Sequence, residues 1–476
     1  MQWKLFALNT LSVLYLWQHE GERKQLKFIN VNEAIEWLNA QRSTGQGNSV
    51  ERVKVALAFI DNPHIGLPAI HITGTNGKGS TTAFLRELLL SQGLQVGTFT
   101  SPHIMTFKER FTFNGELISD EDLLFVIEEM VQINDYMEQT EFGRLVFFEL
   151  YTVMMAIYFN MKKPDVCLVE VGIGGRRDCT SVVNAQLAII TTIGLDHGDK
   201  LGNTVEEVAE EKSGLIKPNS LVVTGLIDEG PLTVIENYAK EMNSEIYRYQ
   251  IEYGMSDILN HLDQGSTFNF WQTSTEAEET QQNNFAIGML GLHQVQNATV
   301  ALQAFELWMR HIEQPIDWVI AKPALQKTNW IARMERIHEK PFVYIDGAHN
   351  VAGLNALKQL VTEYFPHKEI HILYAGLDSK NQAAQLPLLS TFESSSLAVT
   401  DFEHPNAMSL EQFKELVLSE ATHLQQPVQF VENWPEYITD FIFTKNADQM
   451  LLVTGSLYFV SAIRQHIVKE FQKISN

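Results

Sequence analysis

An apolar run that ends in a glycine-rich loop constrains this chain more than any other feature. Pro68 to Thr73 is predicted to be a short buried strand, the loop Gly74 to Ser80 follows, and Thr81 to Leu90 carries apolar residues on one side of a predicted helix. A strand, a glycine loop and a helix in this order form an anion site, because the helix N-terminus presents free N–H groups. The chain is therefore predicted to contain an α/β domain with an anion site at one edge of its sheet.

Buried strands recur downstream and alternate with helical stretches. They are predicted at Gln95 to Thr100, Val166 to Val171, Leu187 to Ile193 and Leu221 to Thr224. This alternation predicts a mostly parallel sheet flanked by helices. The region from Ile246 to Ile287 is instead short, aromatic and polar, so we expect an antiparallel addition there, with Thr275 to Asn284 as an exposed turn.

A second α/β unit is predicted after Trp330, where the alternation restarts. Its strands are expected at Phe342 to Ile345, Glu369 to Leu373, Ser396 to Thr400 and Gln449 to Thr454, with a helix at Val351 to Tyr364 and another at the end. The length of 476 residues also exceeds one core, at about 150 residues per domain. We predict a P-loop domain over residues 1–328, a linker at 329–334 and a smaller Rossmann-like domain over 335–476.

The composition excludes some partners. The chain has 58 acidic and 35 basic residues, a net charge of −23, which repels nucleic acids and acidic membranes at long range. Its only cysteines, Cys167 and Cys179, predict a reducing compartment, and we expect a cytoplasmic monomer. The apolar segment Leu5 to Trp17 is interrupted by polar residues, which favours a surface helix over a secretory signal, and no apolar run is long enough to span a membrane.

The glycine-rich loop has the groups that a triphosphate requires: backbone N–H donors, glycines, a lysine and a hydroxyl for Mg²⁺. The predicted ATP-binding residues are Gly74, Thr75, Asn76, Gly77, Lys78, Gly79 and Ser80. The loop departs from the generic phosphate-loop pattern, because Ile72 replaces its first glycine and Gly79 separates Lys78 from Ser80. A simple glycine turn is the alternative. A switch GTPase is disfavoured, since the chain has no guanine-reading Asn-Lys-x-Asp motif.

Two residues are candidates to bind Mg²⁺ with Ser80. Glu170 ends one predicted strand and His197 the next, so both lie at the carboxyl edge of the sheet, where α/β proteins bind ligands. Mg²⁺ prefers oxygen ligands, so a purely structural role for His197 is the alternative.

A lysine is predicted on the buried face of the helix that follows. Thr204-Val-Glu-Glu207 is a capping box, and the apolar stripe Val205, Val208 and Ala209 continues to Lys212. A snorkelling side chain is one interpretation of Lys212. The other is an amine with a depressed pKa, able to form a carbamate with CO₂.

The loop sequence Gly-Thr-Asn-Gly-Lys-Gly-Ser resembles that of the Mur-ligase superfamily, whose members are ATP-dependent amide ligases. Within it, the chain resembles the folylpolyglutamate and dihydrofolate synthases from about Asn32 almost to the C-terminus. The resemblance also covers Ser101-Pro-His103 with Glu109-Arg110, and Phe147-Phe-Glu149. Without it, these segments would be interpreted as a turn and a helix start.

The resemblance implies a folate site and a carbamate. Ser101, Pro102 and His103 would form a mobile loop near folate and phosphates, and Phe148 and Glu149 would contribute to substrate binding. Leu195-Asp-His197 and the segment from Glu211 to Lys217 match those carrying a metal-binding histidine and a carbamylated lysine, here His197 and Lys212. The family segment near the pterin retains Arg176 and Asp178, but Cys179 and Ser181 replace its alanine and asparagine, which puts the substrate preference in question.

The resemblance also assigns the other end of the nucleotide. Asn297 would lie beside the adenine, although a helix-capping asparagine is equally compatible with the sequence. Arg333, in the linker, would reach the phosphates. Asp346 and His349, after a strand of the second domain, would face the nucleotide and the acyl phosphate, with an Asp-Gly turn as the alternative. Ser456 would lie near glutamate.

Together these features predict a ligase that uses ATP and Mg²⁺, the latter at two sites, to add L-glutamate to a folate through an acyl phosphate, with Lys78, Lys212 and His349 in catalytic roles. A bifunctional enzyme that also accepts dihydropteroate is the first alternative. A Mur ligase of cell-wall synthesis and a non-catalytic nucleotide-binding module are more remote ones.

Overall fold

The structure is a computed structural model that describes residues 27–41, 49–196, 198–262, 264–273 and 279–474. Residues predicted as an N-terminal surface helix, Leu5 to Trp17, lie outside these ranges. The described residues form three β-sheets. No helix among them is both long and apolar enough to cross a membrane.

The first sheet carries the glycine-rich loop. Its eight strands are β1 (Ala69–Thr73), β2 (Val96–Phe99), β3 (Phe111–Phe113), β4 (Glu116–Leu117), β5 (Val166–Glu170), β6 (Leu187–Ile190), β7 (Leu221–Thr224) and β8 (Glu245–Arg248). Their spatial order is β4-β3-β2-β5-β1-β6-β7-β8, and only β3 and β4 run antiparallel to their neighbours. Every residue of β1, β5 and β6 is buried, as expected for strands covered on both faces. The predicted mostly parallel sheet is confirmed.

Helices cover this sheet. They are α1 (Val31–Ala40), α2 (Val50–Phe59), α3 (Lys78–Ser91), α4 (Asp120–Glu138), α5 (Phe147–Lys162), α6 (Gly198–Leu201), α7 (Val205–Ser213), α8 (Glu229–Glu241), α9 (Leu292–His311) and α10 (Trp318–Lys327). Between β1 and β2 the chain makes a helical crossover through α3, whose Phe84, Leu85 and Leu88 are fully buried against the sheet. This packing fixes the start of α3 above the carboxyl end of β1.

A separate antiparallel sheet follows, as predicted. It contains β9 (Tyr253–His261), β10 (Gly265–Thr273) and β11 (Glu279–Ile287), with β10 in the middle. The prediction of an exposed turn from Thr275 to Asn284 is wrong for residues 279–284, because they belong to β11, which pairs with β10. Residues 274–278 lie outside the described chain. The local polarity was misleading because a few buried side chains, among them Phe268, Phe270 and Phe285, are enough to anchor this small sheet.

The third sheet lies in the C-terminal part. Its strands are β12 (Glu335–Glu339), β13 (Phe342–Ile345), β14 (Glu369–Tyr374), β15 (Ser396–Thr400), β16 (Val428–Val431) and β17 (Gln449–Thr454), in the order β12-β13-β17-β14-β15-β16. Only β12 is antiparallel to its neighbour. The associated helices are α11 (Val351–Tyr364), α12 (Gln382–Ser390), α13 (Leu410–Ser419), α14 (Trp434–Thr444) and α15 (Leu457–Ile474). The limits 1–328 and 335–476 remain our proposal for the domains.

A polar contact joins the antiparallel sheet to helix α11 of the C-terminal unit. The hydroxyl of Tyr364, at the end of α11, donates a hydrogen bond to Asn260 Oδ1 at 2.7 Å and lies 2.5 Å from Ser266 Oγ. Tyr364 and Ser266 are both buried. This contact ties the two units together at a point far along the chain from the linker.

A buried ion pair joins α2 to α5. Arg52 Nη1 lies 2.8 Å from Glu149 Oε1, and Glu149 also accepts N–H groups from Ser49 and Val146. Burial raises the pKa of Glu149, against the lowering effect of these hydrogen bonds and of Arg52. The carboxylate depends on Arg52 for its charge balance.

Replacement of Arg52 by methionine is expected to lower the free energy of unfolding by about 3–5 kcal/mol, because Glu149 would be left buried and unpaired. Urea denaturation followed by circular dichroism measures this loss. Lys54→Met, which removes an exposed lysine from the same helix, is the control and should change stability by less than about 0.5 kcal/mol. Equal stability of the two variants would contradict the dependence of Glu149 on Arg52.

Candidate active site

The glycine-rich loop wraps around the N-terminus of α3. Gly77 precedes the helix with a φ of 87°, in the left-handed region, and Gly74 has a φ of 151°. A Cβ at Gly74 would lie 1.9 Å from Thr191 Oγ1, so only glycine fits. Lys78 Nζ donates to the Gly74 carbonyl at 2.9 Å, which places the ammonium group over the loop. The lysine and the first N–H groups of α3 thus face the same space, as an anion site requires.

The unusual glycine between Lys78 and Ser80 has a structural reason. A Cβ at Gly79 would lie 2.7 Å from the indole Nε1 of Trp330, which comes from the predicted linker. The missing side chain therefore lets the linker pack directly on the phosphate loop. Ser80, next in sequence, is 2% exposed.

Asn297 faces the loop from α9. This helix begins at Leu292, so the interpretation of Asn297 as a helix cap is wrong. Its Nδ2 donates to Gln294 Oε1 at 3.1 Å, and a Cβ at Gly77 would lie 2.4 Å from its Oδ1. The amide is therefore in direct contact with the end of the loop.

Glu170 lies at the carboxyl end of β5, as predicted, and is buried. One carboxylate oxygen accepts the Ser101 N–H at 3.2 Å. Burial raises its pKa, while the nearby positive charge of Lys78 acts in the opposite direction. The structure thus brings the predicted metal ligand, the lysine of the loop and the Ser-Pro-His segment together.

The Ser-Pro-His segment is held by the Glu109-Arg110 pair. The Glu109 carboxylate accepts the N–H groups of residues 104–106 at 2.7 to 3.0 Å. Arg110 Nε donates to His103 Nδ1 at 3.0 Å, and its guanidinium lies 4.8 Å from the centroid of the Tyr151 ring. Burial, and then the charge of Arg110, lowers the pKa of His103 to about 4. His103 is consequently neutral at physiological pH.

The remaining folate-side candidates fall into two groups. Phe148 lies under the loop after β5, since a Cβ at Gly172 would be 2.7 Å from its ring. Asp178 is buried there and accepts hydrogen bonds from the Ile173 N–H and the Thr180 hydroxyl. In contrast, Glu149 is bound to Arg52, as described above. Arg176 is exposed, with its guanidinium 5.5 Å from the ring centroid of Tyr238.

Lys212 is buried, at 3% exposure, so it does not snorkel to the surface. The capping box of α7 is present as predicted and sets the phase of the helix. A Cβ at Gly175 would lie 2.8 Å from the Cα of Lys212, so the Gly174-Gly175 loop packs closely over this position. Burial, and then the charge of Lys78, lowers the pKa of Lys212 to about 7. A large fraction of this amine is therefore neutral near pH 7.

His197 lies outside the described residues. The strand that was predicted to end there, β6, already ends at Ile190. In the described part of the chain, no three histidine, cysteine, aspartate or glutamate side chains cluster as a metal site would require. Glu170 nevertheless fits a cation, because it is a buried carboxylate with a single hydrogen bond from Ser101 and with lone pairs to spare.

The second domain contributes the loop after β13. Both oxygens of Asp346 accept backbone N–H groups at 2.9 Å, one from Met334 in the linker and one from Ala348. A Cβ at Gly347 would lie 2.5 Å from Arg333 Nη1. Asp346 therefore sets the position of the linker and hence of Arg333.

His349 points from this loop toward the first domain. Its Nδ1 donates to the Gly347 carbonyl at 2.8 Å, and its Nε2 lies 3.9 Å from Asp196 Oδ2. Burial is the main reason why its pKa is lowered to about 4, followed by the charge of Lys380. The ring is neutral at physiological pH.

Contacts between the domains involve residues that sequence reasoning missed. Asn350 Nδ2 donates to Asn76 Oδ1 at 3.1 Å, and Lys380 Nζ lies 2.7 Å from Asp196 Oδ1. Lys380 follows β14 at the carboxyl edge of the C-terminal sheet, so the same rule that selected Glu170 would have found it. Ser456 is buried at the start of α15, where its Oγ accepts the Tyr458 N–H at 3.2 Å.

Two family models match the chain. Residues 148–305 match the Mur ligase middle domain, and residues 332–457 match the Mur ligase glutamate ligase domain. The second match includes Arg333, Asp346, His349 and Ser456. The first includes Glu170, Lys212 and Asn297.

Curated relatives and solved structures agree with these matches. A dihydrofolate synthase/folylpolyglutamate synthase of Bacillus subtilis is 32% identical over 447 residues, which cover 92% of this chain and 100% of that protein. A folylpolyglutamate synthase of Lacticaseibacillus casei is 28% identical, with 92% and 99% covered. The Mycobacterium tuberculosis folylpolyglutamate synthase complexed with ADP and AMPPCP has a TM-score of 0.80 at 26% identity, covering 91% of this chain and 97% of that one.

The similarity thus extends over nearly the whole length of these relatives, and it includes both domains and the cleft between them. The chain belongs to the folylpolyglutamate synthase/dihydrofolate synthase family of the Mur-ligase superfamily and is an ATP-dependent ligase.

Proposed function

We propose that this enzyme adds L-glutamate to a folate carboxylate through an acyl phosphate. The observation that carries the proposal is the convergence of two sheet edges on one cleft. The phosphate loop and Glu170 lie on one side and His349 on the other, with Asn76 and Asn350 in contact between them. A solved structure of similar fold, an FPGS–AMPPCP–folate complex, has a TM-score of 0.78 and is 26% identical over 92% of this chain and 99% of that one.

In the proposed nucleotide site, Gly74 to Ser80 hold the phosphates, with Lys78 as the cation. Asn297 lies beside the base and Arg333 reaches the phosphates. Asp346 faces the nucleotide, and the backbone N–H groups that its two oxygens accept hold it beside the linker. We assign Ser80, Glu170 and His197 to Mg²⁺, which would neutralise phosphate charge when bound.

The folate site is proposed on the side of Ser101, Pro102 and His103. Arg110 holds this segment. Burial lowers the pKa of its guanidinium, whereas Tyr458 and Glu170, which lie nearby, act in the opposite direction. Phe148 and Asp178 border the same region. Ser456 is assigned to glutamate. Glu149 and Arg176 remain predicted substrate-binding residues, and their contacts with Arg52 and Tyr238 give them structural roles as well.

Residues of this chain have a role in each of the two steps, formation of the acyl phosphate and attack by glutamate. Lys78 holds the γ-phosphate while the folate carboxylate attacks it, and the charge that develops is met by fixed cations. His349 is neutral, so its free Nε2 is available to accept a proton from the attacking glutamate amine. Closure of the two domains excludes water, which would otherwise hydrolyse the acyl phosphate.

The first alternative is a bifunctional enzyme that also accepts dihydropteroate. The Bacillus subtilis relative carries both activities in its name. Cys179 and Ser181, which depart from the family pattern, follow Asp178 closely in the sequence. The carbonyl of Ser181 accepts a hydrogen bond from Lys217 Nζ at 2.7 Å. The buried free thiols Cys167 and Cys179 are consistent with action in a reducing compartment such as the cytoplasm. We also propose that the enzyme acts as a monomer.

The purified enzyme is expected to release ADP when glutamate is supplied together with tetrahydrofolate. A coupled assay measures this release with glutamate and tetrahydrofolate, dihydropteroate or a muramyl peptide in parallel. Release with dihydropteroate as well would establish the bifunctional enzyme. Turnover with the muramyl peptide alone would refute the proposed function.

Lys212→Ala is expected to lose most activity, and bicarbonate or short carboxylic acids should partly restore it, since the carbamate would supply a carboxylate. In the native enzyme, ¹³C-labelled CO₂ should give a carbamate resonance in the NMR spectrum. Because only the neutral amine reacts, labelling at constant CO₂ should rise from about pH 6 to about pH 8, around the lowered pKa.

Lys217, also partly buried in this region, provides the control for labelling. Its replacement by methionine should leave the carbamate resonance in place, whereas Lys212→Ala should remove it. Wild-type activity of Lys212→Ala in CO₂-free buffer would rule out the carbamate.

A further inference from the structure

The loop between β14 and α12 brings a second lysine into the cleft from the C-terminal domain. Lys380 Nζ lies 2.7 Å from Asp196 Oδ1, and each side chain is only 12% exposed. Ion pairs this far from solvent pay a desolvation penalty that their mutual attraction does not fully recover. The position of Lys380 is therefore costly for stability alone, which points to a functional role.

The loop that carries Lys380 is tied to the C-terminal sheet by buried hydrogen bonds. Gln382 Nε2 donates to the Leu377 carbonyl at 2.9 Å, and the Tyr374 hydroxyl donates to Gln382 Oε1 at 2.6 Å. Gln382 and Tyr374 are buried. Because these bonds fix both ends of the loop, Lys380 is held at the domain interface by the C-terminal domain itself.

The surroundings of Lys380 are those of an anion site. Its partner Asp196 lies 3.9 Å from His349 Nε2 and accepts a hydrogen bond from Asn350 Nδ2 at 3.4 Å. Asn350 also donates to Asn76 of the phosphate loop at 3.1 Å, so Lys380 lies near both the phosphate loop and the loop after β13. Arg333 adds a further positive charge at this loop, since its Nη1 lies 2.5 Å from the position of a Cβ at Gly347. Asp196 and Glu170 balance only part of this positive charge, and a transferring phosphoryl group has the negative charge to balance the rest.

We propose that Lys380 is a phosphate-contacting residue that the C-terminal domain supplies to the transferring phosphoryl group, with Asp196 positioning it beforehand. This inference rests on the proposed function. A folate carboxylate oxygen forms a bond to the γ-phosphorus, the bond from that phosphorus to the bridging oxygen breaks, and ADP leaves with the electron pair. Lys380 would balance the negative charge on the equatorial oxygens of the transferring group.

Such a cation acts on transfer more than on nucleotide binding, because the loop around Lys78 belongs to the other domain. Lys380→Ala should lower kcat on the order of 100-fold or more. Its KM for ATP and its thermal stabilisation by ADP should stay near those of the wild type. Ethylammonium should restore part of kcat in Lys380→Ala, whereas neutral ethanol should not.

Lys358→Ala is the matched control, since Lys358 binds Thr391 within the same domain, and it should keep full activity. Lys380→Met, which retains the aliphatic stem, replaces the alanine variant if that variant does not fold, and the same fall in kcat is expected. A kcat within about threefold of the wild type, a matching loss of ADP stabilisation, or equal rescue by ethanol would overturn the proposal. The proposed function itself would be overturned if the wild-type enzyme turned over no folate. The ADP-release assay described above tests this separately.

Discussion

The cleft depends on the balance between its buried positive and negative charges. Lys78, Lys212 and Lys380 approach one another from three different segments, and Glu170 and Asp196 are the carboxylates opposite them. In a partly dehydrated space, such lysines either lose protons or require anions. The lowered pKa of Lys212 is the first outcome, and the pairing of Lys380 with Asp196 is the second.

Much of the fold followed from the sequence because buried parallel strands give continuous apolar runs. The strands at Leu221–Thr224, Phe342–Ile345 and Ser396–Thr400 have the predicted limits. The strand expected to continue toward His197 ends early, since apolar residues after Ile190 belong to an irregular segment. The exposed turn was placed on part of β11 because polar residues alone do not distinguish a strand of a small sheet from a loop.

The candidate site was predictable where a residue follows a strand or continues a helical stripe. Glu170 and Lys212 meet these conditions, and both are buried. Asp196 and Lys380 could not be paired from sequence, because their contact joins two domains across 184 positions. The role of Asn297 was ambiguous because the sequence does not show where α9 begins. The helix starts at Leu292, five positions before Asn297, after a glycine and without a capping side chain.

The contact between Trp330 and Gly79 has a consequence for experiments in solution. The indole responds to the polarity of its surroundings, and it belongs to the segment between the domains while lying on the backbone that grips phosphates. The fluorescence of Trp330 should therefore change when a ligand binds to the phosphate loop and when the linker moves. The chain has 8 tryptophans, so a form retaining Trp330 alone would separate this signal from the others.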